Sequence, residues 1–193
     1  MKVDINRLVQ RYGQLEKRVR QWTENVCRPY CSVCRHVCCR DHFCSEVRQS
    51  VFLSRVANQF SAQAVFDPAH GWLGQTGCTL VAGRPPVCYE FVCRAIVDGV
   101  AGDSLRHHAL LVVSMVMTYV GKKAIGGRHV VEVTRSADLK RINVKRFLSR
   151  LDQAEAAFDL AADFLDGRQV SARSDLFSSI VSEPRTKKTF YGD

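Results

Sequence analysis

Six of the eighteen residues in CRPYCSVCRHVCCRDHFC, residues 27–44, are cysteine: Cys27, Cys31, Cys34, Cys38, Cys39 and Cys44. Three more, Cys78, Cys88 and Cys93, follow in GCTLVAGRPPVCYEFVC, and none lies in the last hundred residues. Thiolates ligate metals and attack electrophiles, so such density points to metal or redox chemistry. The short spacings among Cys31, Cys34 and Cys38 let one turn aim neighbouring sulfurs at a single ion. Cys78, Cys88 or Cys93, in a segment rich in Gly and Pro, supplies the remaining sulfur once the chain folds. The odd count of nine opposes a complete disulfide framework.

Two cofactors fit these spacings. Structural zinc sites favour paired C-x2-C knuckles, whereas here one x2 spacing is embedded among x3 spacings and an adjacent pair, an irregularity that iron-sulfur clusters accept more readily. Four thiolates around one divalent zinc carry a net charge of about −2, which Arg28, Arg35, Arg40, Arg84 and Arg94 are near enough in sequence to offset. CRPYCSVC also has the C-x3-C-x2-C spacing of radical S-adenosylmethionine enzymes. Those enzymes place it after a strand opening a large α/β barrel, and here a heptad helix precedes it.

CSVCRHVCC followed by GCTLVAGRPPVCYEFVC resembles the cysteine-cluster (CxxCxxCC) family of zinc- or iron-chelating proteins. Gly77, Cys78, Arg84, Pro85 and Cys88 fall in the family's order, with aromatic Tyr89 and Phe91 behind and Cys93 matching a further cysteine of some members. The upstream half reads C-x2-C-x3-C-C, one residue longer than the family spacing, with Cys27 and Cys44 added. The resemblance covers roughly residues 27–95 and implies a bound metal but no reaction. It implies a ligand pool of Cys31, Cys34, Cys38, Cys39, Cys78, Cys88 and Cys93, with Cys27, Cys44 and His70 ranked behind them.

Helices must position these residues. Ile5, Leu8, Tyr12, Leu15, Val19, Trp22 and Val26 alternate steps of three and four, predicting a helix over residues 4–26. Val144, Phe147, Leu151, Ala154, Phe158, Ala161 and Leu165 repeat the pattern in a helix over 136–166 capped by Ser136. The two seams match in length, so we expect them to pack antiparallel within one chain. A third helix leaves Cys44 with Ser45 as cap and runs to Phe60. Residues 67–87 should be irregular with at most a short hairpin, 104–121 a central helix capped by Asp103, and 126–134 a short strand. The fold class is mainly α: a single domain over 1–193, with two long heptad helices and a cysteine-rich, loop-rich metal-binding region at 27–95.

Composition bounds the rest. Lys and Arg number 28 against 19 acidic residues, a formal charge of +9, which attracts polyanions without identifying one. The start carries no signal-peptide core, and the longest apolar run, 109–120, is too short for the roughly twenty residues a bilayer requires, so we expect a cytoplasmic protein with no membrane partner. The carboxylate row Asp152, Glu155, Asp159, Asp163 and Asp166 reads as a solvated face. No GxSxG, Walker, Rossmann or HExxH pattern marks a conventional enzyme. A chelating protein is thus the leading expectation. A zinc-stapled basic module for nucleic acid or a protein partner, using Lys140, Arg141, Lys145 and Arg146, is the alternative, and a redox or radical enzyme comes third.

Overall fold

The computed structural model describes residues 4–31, 40–75, 77–100, 102–168 and 174–181. It is mainly helical, with α1 at Ile5–Cys31, α2 at Cys44–Gln49, α3 at Val51–Phe60, α4 at Val87–Glu90, α5 at Arg94–Asp98, α6 at Ser104–Gly121, α7 at Ser136–Leu139, α8 at Val144–Leu165 and α9 at Ser174–Val181. The strands β1 at Leu73–Gly74 and β2 at Gly77–Cys78 pair antiparallel, as the short hairpin expected in that segment.

The helix α6 is buried almost all round, which its unbroken Val, Leu and Met content demands. Asp103 caps it, its side chain accepting from Leu105 N and Arg106 N. Helices α4, α8 and α9 pack against it, and α1 lies against α8 and α3. Both heptad seams face inward: Leu8, Tyr12, Leu15 and Val19 of α1 and Phe147, Leu151, Ala154, Phe158 and Ala161 of α8 are buried. Tyr12, Phe52 and Phe147 join α1, α3 and α8 in one aromatic cluster, with ring centroids 5.4–6.2 Å apart.

The heptad helices pair within the chain but run parallel, not antiparallel. Arg11 meets Asp152 and Glu155, Arg18 meets Asp159, and the Trp22 indole donates to Asp166 at 3.1 Å, so partners advance together along both helices. Helices α6 and α8 pair antiparallel: Arg106 reaches the Leu165 carbonyl and Tyr119 meets Gln153. Over a hundred residues separate α1 from α8, so closure leaves α1 free to take the direction that matches its arginines to the α8 carboxylates. Asp152, Glu155 and Asp159 of that row therefore form an interhelical ion-pair face and not merely a solvated one.

Other boundaries shift for local reasons. Helix α1 continues five residues beyond 26 and passes through Pro29, which removes one helical hydrogen bond close to its end. The helix expected over 44–60 breaks at Ser50, whose hydroxyl accepts from Leu53 N and donates to the Val130 carbonyl; Ser45 is no cap and instead bonds back to His42 O. The helix expected over 136–166 breaks before Asn143, which caps α8 by accepting from Arg146 N, and Ser136 makes no cap bond. In place of a strand, Val130–Glu132 forms one 3-10 turn with a capping box: Val131 N donates to His129 Nδ1, and His129 N to Glu132 Oε2. The helix α9 is absent from the sequence expectation, yet Phe177 and Ile180 are buried and Phe177 packs edge-on against His108.

The Tyr12 hydroxyl is buried and has no hydrogen-bond partner among the described residues. An unpaired buried hydroxyl carries a desolvation cost of about 1–3 kcal/mol. Tyr12→Phe should therefore leave the protein as stable or more stable, by about 1 kcal/mol, whereas Tyr12→Ala should cost about 3–5 kcal/mol. Urea unfolding midpoints separate these outcomes, and a Tyr12→Phe protein weakened as much as Tyr12→Ala would contradict the assignment.

Candidate metal centre

On α1, Arg20, Thr23, Glu24, Cys27 and Cys31 recur at steps of three and four and so occupy one helix face. That face forms one wall of a cleft of about 740 Å³. The other walls come from Arg40 to Val47, from Leu73 to Leu80, and from Arg84 to Phe91. Five of the six cysteines among the described residues line it: Cys27, Cys31, Cys44, Cys78 and Cys88. Arg20, Arg28, Arg40 and Arg84 stand among them.

The cysteine-bearing loop is fixed from below. The Glu16 carboxylate, completely buried on α1, accepts Gly83 N at 2.7 Å on Oε2, and Arg84 N at 2.7 Å and the Tyr89 hydroxyl at 3.0 Å on Oε1. Gly83 sits at φ +93°, and a Cβ there would lie 2.6–2.7 Å from the Ala57 backbone, so only glycine lets the loop approach α3 this closely. At the end of α3, Ser61 Oγ accepts from Val81 N and Ala82 N and donates to Ala82 O.

Above this clamp, Arg84 holds the hairpin. Its Nε donates to Leu80 O at 3.0 Å and its Nη2 to Cys78 O at 3.1 Å, while Arg20 Nη1 donates to the same Leu80 carbonyl at 2.7 Å. Burial lowers the Arg84 pKa, but Tyr89, Cys78, Glu16 and Glu24 more than offset this, so the guanidinium is held charged beside the thiols. Cys44, the first residue of α2, is packed against Gly71 at φ +65°, where a Cβ would lie 2.5 Å from Sγ. Burial pushes the Cys44 thiol up, the Trp72 N–H pulls it down, and the nearby Cys78 raises it further.

Of the expected ligands, Cys31, Cys78 and Cys88 come together at the cleft. Cys93 does not line it: the chain turns at Phe91 and Cys93 stands exposed at the start of α5. Cys27 and Cys44, ranked behind on the resemblance, do line it. His70 is exposed in the Asp67–Gly71 turn, with Nδ1 3.1 Å from Asp67 Oδ1, and is not among the lining residues. The expectations for Cys34, Cys38 and Cys39 lie outside the described residues. Among the described residues, no three Cys, His, Asp or Glu side chains converge closely enough to hold an ion.

Sequence reasoning passed over Glu16 and Arg20. Glu16 lies four residues after Tyr12, on the buried side of the first seam, and a carboxylate there is the signal that a loop must bring it donors. No protein-family model, curated protein or solved structure matches the chain.

Two buried titratable groups give opposite pH dependences. Burial lifts Glu16 from 4.5 to about 7 against the pull of its three donors. Between those values the native state holds the extra proton, so this group's contribution is fully present below pH 4.5 and declines by about 3 kcal/mol as pH rises to 7. Burial lowers His129 from 6.5 to about 4; its Nε2 meets Thr118 O at 3.1 Å while Nδ1 accepts from Val131 N, which fixes the neutral ring. Here the unfolded state takes the proton first, so stability is full above pH 6.5 and falls by about 3 kcal/mol on acidification to 4.

These contributions nearly cancel in the wild-type chain. Glu16→Gln should therefore lose stability on acidification from pH 6.5 to 4, and His129→Asn, which keeps a capping acceptor, should be more stable at pH 5 than at 7. Denaturant titrations across pH check both, and parallel profiles for the two variants would contradict the assignment. Glu16→Ala, which orphans three donors, should cost about 3–5 kcal/mol at neutral pH, read from the same curves.

Proposed function

We propose that the cleft is a thiolate chelating centre for an iron-sulfur cluster or zinc, in a protein that works in a reducing, cytoplasmic compartment. The observation that carries this reading is the meeting of Cys27, Cys31, Cys44, Cys78 and Cys88 on one cleft from separate stretches of chain. The sequence holds further cysteines close by in the chain: Cys34 follows lining residue Cys31 by three positions, and Cys38 and Cys39 immediately precede lining residue Arg40. The donor set is soft sulfur, the chemistry that selects zinc and iron-sulfur clusters over hard oxygen-seeking cations. Four arginines match the negative charge such a thiolate centre carries.

The chain's residues divide the work. Cys44 and Cys78 stand on fixed elements and supply a rigid edge, while Cys27 and Cys31 present two sulfurs one helical turn apart. Arg84 orients Cys78 through its carbonyl, and Glu16 orients the Arg84 backbone. A bound metal would contribute a structural crosslink between α1, α2 and the hairpin.

Anaerobic reconstitution with iron and sulfide, or with zinc alone, followed by metal analysis and visible absorption, tests the reading. We expect stoichiometric metal, lost or weakened in Cys44→Ser, Cys78→Ser and Cys88→Ser and retained in Cys93→Ser. Arg84→Gln should weaken binding by about 10–100-fold. Folded protein that stays colourless and metal-free under both conditions would overturn it.

A further inference from the structure

The net charge is concentrated at one end of the fold. Residues 121–150 hold nine Lys and Arg against two acids, Glu132 and Asp138, a net +7 of the chain's +9. The structure gathers this segment into one surface. Asn143 N donates to Ala124 O, Arg128 N to Ile125 O, and Arg150 anchors α8 to the Tyr119 and Lys122 carbonyls. The acids that follow on α8 cannot neutralise it, because Asp152, Glu155 and Asp159 are engaged by Arg11 and Arg18 of α1.

One buried carboxylate arranges the centre of this surface. Asp138, 1% exposed, lies 3.3 Å from Arg128, 3.6 Å from Arg135 and 3.5 Å from Arg141, and so holds three guanidiniums in a fan with two charges in excess. The Arg135 and Arg141 side chains remain 72% and 64% exposed, which leaves donors free to point outward. Lys140, Lys145 and Arg146 are exposed and make no ion pair among the described residues. Beside them opens a polar recess of about 470 Å³ that includes Asn143, Lys145, Arg146 and Ser149.

We propose that this basic end, built from the 122–128 loop, α7 and the first turns of α8, binds the phosphate backbone of double-stranded nucleic acid without sequence preference. Pre-arranged guanidiniums suit phosphate oxygens, and the fan spares part of the ordering entropy that free arginines lose on binding. Single strands are bound through stacking on exposed aromatics, and none stands here among the described residues: Tyr119 is 8% exposed. Membrane docking would use an apolar wedge, and the exposed large apolar residues Tyr30, Val65, Phe91 and Leu111 lie on other segments. The parallel pairing of α1 and α8 puts this surface roughly 30 Å from the thiol cleft, at the opposite end of both helices. The proposal therefore does not rest on metal binding.

Fluorescence anisotropy with a labelled random duplex DNA of about 20 base pairs tests it. For four phosphate contacts, affinity should fall about a hundredfold between about 50 and 200 mM salt. Lys140→Gln, Arg141→Gln, Lys145→Gln and Arg146→Gln combined should remove most of that salt dependence and weaken binding at the lower salt by at least about tenfold. A charge-matched control away from this end, Lys17→Gln, Arg55→Gln, Arg94→Gln and Arg168→Gln combined, should bind as wild type, and circular dichroism establishes that both variants are folded. The proposal is overturned by no binding at the lower salt, by equal loss in the control, or by tighter binding of phosphatidylserine vesicles or poly-glutamate through the same four residues.

Discussion

One buried carboxylate makes the cleft possible. Glu16 lies at the heart of α1, in a helix face otherwise given to Leu8, Tyr12, Leu15 and Val19, and an isolated carboxylate there would be strongly unfavourable. The Gly83–Arg84 backbone and the Tyr89 hydroxyl satisfy it, which ties a loop with no regular structure to α1. Everything above follows from that tie. Arg84 reaches the Cys78 and Leu80 carbonyls from a fixed backbone, the hairpin takes its place, and Cys78 faces Cys27 and Cys31 across the cleft. Removing the carboxylate would free the loop and, with it, the relative positions of the sulfurs.

The helical frame gives this clamp its direction. Because α6 and α8 form the antiparallel pair, α1 lies parallel to α8, and its C-terminal turns project beyond the last ion pairs to form the cleft wall. The same arrangement separates charge: the carboxylates Asp152, Glu155 and Asp159 of α8 pair with arginines of α1, and the cationic start of α8 is left at the far end. A thiol-lined cleft and a basic surface thus occupy opposite ends of one helical pair.

Much of the frame was legible in the sequence. Alternating steps of three and four located α1 and α8, unbroken apolarity located α6, and Asp103 marked its start, because burial and capping act locally on these residues. Helix direction was not legible, since it depends on how α6 closes onto α8 across the intervening turns. The site was half legible. Cysteine spacing and the Gly-Cys and Arg-Pro pattern pointed to Cys78 and Cys88, but Cys27 ranks behind because the resembled spacing has no place for it. In the structure the helix continues and carries Cys27 and Cys31 on its cleft face. Cys44 was discounted with it, although Gly71 and Trp72 bring a turn against its sulfur through contacts more than twenty-five residues distant in sequence. Glu16 was missed because a single carboxylate in a heptad reads as a surface residue until its donors are known.

The central claim is that sulfur from distant stretches of the chain converges on one metal. X-ray absorption at the metal edge of zinc-loaded protein tests it most directly. The account predicts a shell of sulfur neighbours at about 2.3 Å whose number drops when Cys44 and Cys78 are replaced by serine. A shell made only of oxygen and nitrogen, or one unchanged by that double replacement, would contradict it.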